Sequence, residues 1–556
     1  MPQIYKRSKG FSLIEIIIAV LILAFLTIIV VVLLDPADFF SGARDTRRIS
    51  DLQAIDSALS LYRQDVGAFF KSSSVAADPS NAVIGLIRQD CTGYSNCFTS
   101  LAAWQAAFGG INFGACSQGD LVCANKVAVA KIDGAWTNAD TVFVELNDEY
   151  RLGWRTGPDN YIKIYTTPTA RHSGKWDTNN KYRLDVSSAP ALAIRTRYVR
   201  IDGLQIKSTS GGDYVSVIES DFLNNAPESA SKAMDIRISN NIITANFTSG
   251  SGQPVYGIDI GINSNNTAAA FRIWNNIIYD IGTRYNNGIG ITAYGGTEYA
   301  YSNTVYNSPT GLNRDNAASG IFVAKNNLTQ STSNGGYNGN FDSNSDYNLS
   351  GDNTSTGGAH DKKNQTVVFV STSTQNFHLS STDTAAKGAG VNICQALPGS
   401  SFQNDIDGDF RGGKWDIGAD QVIFNYNIVF ISLLDNNSTC CASYSLPSLP
   451  SDWTYSCVPD YSFQQTNGSG WIPIDFSKIA ANAFPGIPID PANTLDSGKY
   501  YTFVTDGKKW ELTSILESDK NKGVGNIGGK DGGQNVNILE IGSNLTLTPS
   551  SVKSRQ

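Results

Sequence analysis

Three aspartates recur at alternate positions in the stretch DIDGDF: Asp405, Asp407 and Asp409. Carboxylates at this spacing can bind calcium, which prefers oxygen ligands. Gly408, however, falls too early for an EF-hand loop, which needs glycine at its sixth position. The stretch therefore leaves two interpretations open: a calcium site, or a turn in which Asp407 and Gly408 form the bend.

Other residues that commonly carry catalysis are not arranged for it. His172, His360 and His378 lie far apart and have no metal-ligand or triad spacing, and the sequence has no GxSxG, HExxH or phosphate-binding glycine loop. The net charge of −8 gives no support for a nucleic-acid partner, which would require clustered Lys and Arg. We therefore expect no required cofactor, with Ca²⁺ as the one candidate ion.

A carboxylate, Glu15, lies inside a long apolar run from Phe11 to Leu34. As a helix this run would extend about 36 Å at 1.5 Å per residue, which is enough to cross a bilayer. Three basic residues precede it: Lys6, Arg7 and Lys9. The pattern predicts a single transmembrane helix with its amino terminus in the cytoplasm and the rest of the chain outside.

The same residues resemble a family. A basic leader, Gly10, Phe11 and then Ser-Leu-Ile-Glu before an apolar helix is similar to type IV prepilins and type II secretion pseudopilins of prokaryotes. The resemblance implies that a prepilin peptidase cleaves after Gly10 and methylates Phe11. It also implies that Glu15 pairs with the amino terminus of a neighbouring subunit, which would reduce the cost of a carboxylate in hydrocarbon. The alternative is a plain membrane anchor with Glu15 hydrated near the interface.

After Pro36 the pattern becomes amphipathic. Apolar residues recur at steps of three or four, with polar residues between them: Ile49, Leu52, Ile55, Leu59, Tyr62 and Val66. This spacing predicts one helix that covers a sheet and ends at Gly67.

From about residue 80 to residue 425 short alternating runs replace the helical period. Four runs share a template of two apolar residues followed by Asn: Ile236, Ile238 and Asn241; Phe271, Ile273 and Asn276; Ile321, Val323 and Asn326; and Tyr299, Tyr301 and Asn303. Repeats of one strand and one Asn-rich turn are typical of a solenoid. We predict a right-handed parallel β-helix, with a β-sandwich or propeller as the alternative.

This part also resembles a family, the right-handed β-helix proteins related to pectate lyases. The similar stretches are HSGKWDTNNKYRL and DIDGDFRGGKWDIGADQ, with SLAAWQAAF from Ser100 to Phe108 as a capping helix. Many members cut acidic polysaccharides with Asp-bound calcium and a basic residue, which implies these candidates: Asp213, Glu219, Asp221, Asp235, Asp259 and Arg237. The alternative is a solvated solenoid face.

The carboxy-terminal part has a different character. Tyr500 to Phe503 and Trp510 to Ser514, joined by Asp506 and Gly507, predict a β-hairpin. The segment resembles the sheet region of pilin-like proteins, with Ile487 to Pro491 as the turn before the sheet. Helix and sheet would then form one pilin fold with the β-helix inserted. The alternative is an anchor, a β-helix and an independent tail.

The eight cysteines have no zinc-like spacing and favour disulfides in an oxidising compartment. The simplest local pairs are Cys91 with Cys97 and Cys116 with Cys123. The adjacent Cys440 and Cys441 are not expected to pair with each other.

Together these patterns predict a mainly β protein of five segments: a leader at 1–10, a transmembrane and amphipathic helix at 11–68, a linker at 69–84, a capped β-helix at 85–425 and a pilin-like antiparallel sheet at 426–556. The first functional hypothesis is a pilin-like surface subunit that binds glycans or other surfaces. The second is a tethered polysaccharide lyase or glycoside hydrolase, and the third is a secretion pseudopilin. Expected partners are other pilin subunits, the prepilin peptidase, the cell membrane and a polysaccharide.

Overall fold

The computed structural model forms two compact units. Residues 1–69 and 427–556 make the first, here called the helix–sheet unit, and residues 70–426 make the second, the parallel-sheet unit. The residues described are 12–34, 36–66, 78–109, 114–148, 153–187, 190–209, 215–220, 233–247, 254–262, 268–282, 286–315, 320–393, 404–409, 411, 414–422, 428–434, 445–450, 453–458, 464–466, 470–476, 479, 485–495 and 498–554. The chain therefore leaves the helix–sheet unit, forms the parallel-sheet unit and returns.

Six helices lie in the described residues: α1 (Leu13–Leu34), α2 (Pro36–Val66), α3 (Leu101–Phe108), α4 (Leu121–Ala124), α5 (Ile527–Lys530) and α6 (Ser550–Lys553). The predicted amphipathic helix is present as α2, and Leu52, Ile55, Leu59 and Tyr62 are buried along it. No helix among the described residues has the combined length and apolarity needed to cross a bilayer.

Three sheets, in which every strand pairs in parallel, build the parallel-sheet unit. Sheet 1 has nine strands in the order Cys97–Phe98, Ala82–Ile87, Val127–Ile132, Ile162–Thr166, Tyr198–Asp202, Met234–Ser239, Ala269–Trp274, Gly296–Tyr301 and Gly320–Lys325. Sheet 2 has seven strands: Gly335–Asn338, Thr310–Arg314, Gly288–Ala293, Val255–Ile260, Ser216–Ser220, Leu192–Ile194 and Val144–Leu146. Sheet 3 has seven: Leu349–Ser350, Leu328–Gln330, Thr304–Tyr306, Ile277–Tyr279, Ile242–Ala245, Gln205–Ser208 and Leu184–Val186.

Successive strands visit the three sheets in turn. Tyr198–Asp202 in sheet 1 is followed by Gln205–Ser208 in sheet 3 and Ser216–Ser220 in sheet 2, and the chain then returns to sheet 1 at Met234–Ser239. Each strand pairs with the strand one circuit later. These stacked parallel sheets are consistent with the predicted parallel β-helix and differ from the hairpin-type pairing expected of a β-sandwich or propeller.

Inward side chains of sheet 1 stack in register from circuit to circuit. Ile236 pairs with Phe271 and Ile238 with Ile273, as the repeat predicts, and all four are buried. The other two repeats are predicted one residue out of register. The inward residues are Glu298 and Ala300 in one strand and Phe322 and Ala324 in the next. Their apolar outward neighbours, Tyr299, Tyr301, Ile321 and Val323, produced the wrong frame, because a one-residue slip exchanges the two faces of a strand.

A ladder of buried asparagines runs along the turn between sheets 1 and 3. Its members are Asn241, Asn276, Asn303, Asn327 and Asn348, and each Nδ2 donates to the Oδ1 of the next at 3.0 Å. The prediction named Asn326 where the ladder uses Asn327. The residues before the ladder positions carry the left-handed backbone conformation instead: Asn240, Asn275, Ser302, Asn326 and Tyr347. The sequence pair Asn-Asn therefore supplies one residue for the bend and one for the ladder.

Glu298 is a carboxyl group inside this core. It pairs in register with Phe271 and Phe322 and is fully buried, with Oε1 accepting from the Gly295 amide at 3.1 Å and Oε2 without a hydrogen-bond partner among the described residues. Burial raises the pKa of Glu298 to about 8, and the charge of Arg314 only partly opposes this. The side chain is therefore neutral in the folded protein at neutral pH.

We expect the parallel-sheet unit to lose stability as the pH rises through this range. The folded carboxyl stays protonated up to about pH 8, whereas the unfolded one ionises near its ordinary value of 4.5, so Glu298 favours unfolding increasingly between those values. Each pH unit in this window lowers the free energy of unfolding by about 1.4 kcal/mol. In thermal unfolding, the melting temperature of Glu298→Gln should fall much less than that of the wild type over the same pH range. Glu145→Gln, which alters a partly exposed carboxylate paired with Arg195, should leave the wild-type slope unchanged; equal slopes in all three proteins would contradict the expectation.

The amino-terminal end of the parallel-sheet unit carries the predicted short helix. Ser100 caps α3 by accepting a hydrogen bond from the Ala103 amide at 3.0 Å, and Leu101, Trp104 and Phe108 are buried in the core. The pairs Cys91 with Cys97 and Cys116 with Cys123 form disulfides nearby, as predicted. Cys457 in the helix–sheet unit is also disulfide-bonded, whereas Cys394, Cys440 and Cys441 lie outside the described residues.

A five-stranded sheet forms the other part of the helix–sheet unit. Its order is Thr454–Val458, Ile428–Leu434, Thr502–Thr505, Trp510–Ile515 and Ile538–Gly542. The predicted hairpin is confirmed, with Phe503 opposite Leu512 in antiparallel register. The sheet is not wholly antiparallel as predicted, because its first two strands pair in parallel. A two-stranded antiparallel ribbon, Phe369–Ser371 with Asn376–Leu379, belongs to the parallel-sheet unit.

Candidate assembly site and predicted catalytic residues

Glu15 has a local role at the start of α1. Its side chain accepts a hydrogen bond from the Ser12 amide at 2.8 Å, and the Ser12 hydroxyl accepts one from the Glu15 amide at 3.3 Å. This reciprocal pair is a capping box, which satisfies amides that the first turn of a helix leaves unpaired. The side chains from Leu13 to Leu26 are all exposed. The helix thus presents a continuous apolar surface with a carboxylate at its first turn.

Helix α2 is held to the five-stranded sheet by a buried charge network. Arg48 forms two hydrogen bonds with Asp490, at 2.7 and 2.9 Å, and further ion pairs with Asp45 at 2.9 Å and Glu517 at 2.6 Å. Arg48 and Asp45 are fully buried. Burial works to lower the pKa of Arg48, but the hydrogen bonds and charges of Asp490 and Glu517 outweigh it and raise the pKa. The guanidinium therefore remains charged inside the unit.

Two further contacts join the polar side of α2 to the sheet. The indole of Trp510 donates to Asp56 at 2.8 Å, and the hydroxyl of Tyr501 donates to Asp51 at 3.0 Å. The helix and the carboxy-terminal hairpin thus contact each other directly within one compact unit. This is the contact expected of one interrupted fold rather than of an anchor followed by an independent tail.

The described residues among those proposed for polysaccharide cleavage lie in two different sheets. Asp235 and Arg237 are ion-paired to each other at 2.6 Å in sheet 1, and Asp235 also pairs with Arg272. Asp259 lies in sheet 2, in register with Glu219, and accepts from the Ser216 hydroxyl at 3.2 Å. Two different sheets therefore hold the three main candidates. The remaining two, Asp213 and Asp221, lie outside the described residues.

The three alternating aspartates form a tight turn, and their oxygens come within 4.8 Å of one another. Asp405 accepts hydrogen bonds from the amides of Asp407, Asp409 and Gln421, at 2.9, 2.8 and 3.0 Å. Backbone donors thus already occupy its carboxylate, and this supports the turn interpretation. Burial and the charges of Asp407 and Asp420 raise the pKa of Asp405 well above its ordinary value.

Comparison with known proteins adds one finding. Residues 5–31 match the prokaryotic N-terminal methylation motif. No curated protein and no solved structure matches the chain. The match covers the predicted processing residues, Gly10 and Phe11, and the capping residues Ser12 and Glu15.

The methylation motif supports a pilin-type amino terminus. It implies processing by a prepilin peptidase, assembly with pilin subunits and a membrane-anchored protein exposed at the cell surface. Gly10 and Phe11 themselves lie outside the described residues. The motif leaves the parallel-sheet unit unassigned, since it ends before α2 begins.

Sequence reasoning missed the charged part of the α2 interface. Asp45 and Arg48 continue the same steps of three and four as the buried residues Leu52, Ile55 and Leu59. The helical period therefore extended to these two residues. Charged residues are seldom buried, so they are not predicted to face the core unless their partners are known. The partners Asp490 and Glu517 lie more than four hundred positions along the chain.

Proposed function

We propose that the protein is a pilin-like subunit that is cleaved after Gly10, methylated on Phe11 and assembled through α1, with the parallel-sheet unit displayed outside the cell as a right-handed β-helix. The observation that carries this proposal is the methylation motif at residues 5–31. It is supported by the exposed apolar surface of α1, which a membrane or neighbouring helices would cover.

The assembly step assigns two roles to Glu15. In the single chain it caps α1 through Ser12. In a filament its second role is to pair with the terminal ammonium of a neighbouring subunit after cleavage. A carboxylate in an apolar surrounding gains most from an opposite charge, so the pair makes assembly depend on the neighbour.

We propose that the displayed unit binds a glycan or another surface. Sheet 1 carries an outward row in register, formed by Lys163, Arg200, Arg237, Arg272 and Tyr299. Arg200 lies over the ring of Tyr161 at 3.5 Å, and Lys163 over the ring of Tyr165 at 4.3 Å. Arg237 and Arg272 are already paired with Asp235, and Lys163 is paired with Asp78. The row therefore presents polar groups and aromatic rings at the spacing of strands, about 4.8 Å, which suit hydrogen bonding and stacking along an extended polymer.

The lyase or hydrolase alternative receives less support. A calcium-assisted site needs its carboxylates on one face, whereas Asp235 and Asp259 belong to different sheets. Asp235 is also neutralised by two arginines, Arg237 and Arg272.

The proposed function is tested with Glu15→Gln. Glutamine retains the capping hydrogen bond to the Ser12 amide but carries no charge. We expect normal cleavage and membrane association but at least a tenfold loss of subunits in filaments, since losing 1.4 kcal/mol already lowers an association constant about tenfold. The measurement is quantitative detection of the full chain in purified filaments and membranes.

Ser12→Ala is the matched control. It removes the Ser12 hydroxyl from the capping box and leaves the charge of Glu15 in place. We expect it to assemble nearly as well as the wild type. Normal assembly of Glu15→Gln would restrict Glu15 to capping and would remove the pairing role from the proposal.

A further inference from the structure

A histidine and two aspartates converge at a point that the proposed function does not use. His378 lies in the strand Asn376–Leu379. Asp407 lies in the turn of the three alternating aspartates, here called the acidic turn, and Asp420 lies in the segment that follows it. One imidazole nitrogen and one oxygen from each carboxylate lie within 4.8 Å of one another. His378 Nε2 and Asp407 Oδ2 are 2.8 Å apart.

Backbone hydrogen bonds fix these side chains in place. The Leu379 amide donates to Asp420 Oδ2 at 2.7 Å, which holds Asp420 beside the strand of His378. Asp405 accepts from the amides of Asp407 and Gln421, which ties the acidic turn to the segment that carries Asp420. The cluster is therefore built from three chain segments that are locked together before any ligand arrives.

The cluster receives no ion pair from a lysine or arginine among the described residues. Asp420, the more buried of its two carboxylates, has an exposed fraction of 5%. The nearest buried cation, Arg411, donates to the carbonyl oxygens of Asp416 and Gly418 and to Asn275, and makes no ion pair with a carboxylate among the described residues. Asp420 accepts a backbone amide but has no ion pair with a lysine or arginine in the described part of the chain, and a bound cation would offset the cost of burying its carboxylate.

The neighbouring histidine, His172, adds no positive charge to the cluster. His172 is buried close by, and burial together with the charge of Arg171 lowers its pKa to about 3, so it is neutral. Asp407 Oδ1 is a buried oxygen with no hydrogen-bond partner in the described part of the chain. An unpartnered carboxylate oxygen beside a histidine is a donor set that suits a metal ion.

The second nitrogen of His378 has a partner of its own. Nδ1 is hydrogen-bonded to the side-chain oxygen of Asn376, and because a carbonyl oxygen only accepts, Nδ1 carries the proton. The other nitrogen, Nε2, is hydrogen-bonded to Asp407 Oδ2, and a metal ion would take the place of that hydrogen bond. Metal-binding histidines commonly have this arrangement, in which the outer nitrogen donates to a fixed oxygen.

We propose that His378, Asp407 and Asp420 bind a divalent transition-metal ion of the zinc class, through Nε2 and one oxygen of each carboxylate. One nitrogen and two oxygens are ligands that zinc accepts, whereas calcium prefers an all-oxygen set. Three protein ligands leave a coordination position for water. This site differs from the Asp405, Asp407 and Asp409 calcium site predicted from sequence, since Asp405 is occupied by backbone amides.

Gly174 packs directly against the proposed ligands. A Cβ atom at this position would lie 2.2 Å from His378 Nε2 and 2.4 Å from Asp407 Oδ1, and the residue has a φ of +68°. Glycine is therefore required for the imidazole and the carboxylate to approach each other.

The proposal is tested by adding ZnCl₂ alone to the full chain in detergent after the protein has been stripped with a chelator. We expect about one zinc per chain by elemental analysis and a higher melting temperature with zinc than without it. His378→Ala and the nearly isosteric Asp420→Asn should lose both effects. Melting of the variants without metal checks that they fold, and if His378→Ala does not, Asp420→Asn decides.

His360→Ala is the matched control. His360 is also hydrogen-bonded to an aspartate, Asp346 at 2.7 Å, but it is exposed and belongs to neither of the candidate metal clusters in the described residues. This variant should keep full zinc binding. The proposal is overturned if the wild type retains no zinc, if His378→Ala and Asp420→Asn bind as the wild type does, if His360→Ala alone abolishes binding, or if CaCl₂ but not ZnCl₂ raises the melting temperature.

Discussion

Replacing Arg48 with leucine should destabilise the helix–sheet unit by about 3 to 5 kcal/mol, because it leaves the buried carboxylates of Asp45 and Asp490 without their cation. Glu517 keeps Arg44 and Lys499 as partners, so the main loss lies at the two other aspartates. Hydrogen exchange of the amides in Trp510–Ile515 measures the effect within this unit, without requiring the whole chain to unfold in one step.

The neighbouring arginine provides the control for this substitution. Arg47 is about two-thirds exposed and lies 3.6 Å from Asp51. Arg47→Leu should cost less than about 1 kcal/mol, as exposed ion pairs usually do. Similar protection in the two variants would show that the buried network does not stabilise the attachment of α2.

Replacing Asn276 with alanine should destabilise the parallel-sheet unit by about 3 to 5 kcal/mol. Its Nδ2 donates to Asn303 and to the carbonyl oxygens of Ile238 and Trp274, and its Oδ1 accepts from the amide and side chain of Asn241. The substitution therefore leaves several buried groups unpaired at once, each costing about 1 to 3 kcal/mol, partly offset by relaxation. The denaturant midpoint followed by far-ultraviolet circular dichroism measures the loss.

An exposed asparagine of the same unit is the comparison for Asn276. Asn338 donates to Asn313 at 2.7 Å on the surface of sheet 2. Water can replace that hydrogen bond, so Asn338→Ala should change stability by less than about 0.5 kcal/mol. If the two variants were equally stable, the ladder would not be a source of stability.

The sequence was most informative where the structure repeats or is local. Helix α2, the hairpin around Gly507 and both described disulfide pairs follow from residues close together in the chain. The parallel stacking followed from the regular spacing of apolar residues and Asn. The predicted frame of two repeats was wrong at Glu298 and Phe322, because a polar residue faces the core at Glu298 and apolar residues, Ile321 and Val323, flank Phe322 on the outward face.

The candidate sites show the same limit more clearly. The methylation motif was readable because its residues are contiguous. His378 comes together with Asp407 and Asp420 only after three segments fold, and nothing in the spacing of the histidines indicates it. Arg48 likewise finds Asp490 through the fold, although the turn containing Asp490 was recognised.

Because the parallel-sheet unit is inserted between α2 and the five-stranded sheet, the sheet is synthesised well after the helix. Arg48 is synthesised 442 positions before its partner Asp490. At the usual rates of translation, about 5 to 20 residues per second, on the order of 20 to 90 s pass between them. Throughout that interval α2 has left the ribosome without the sheet that buries its charged and apolar residues. The cell must keep this helix from premature association until the last quarter of the chain has been made.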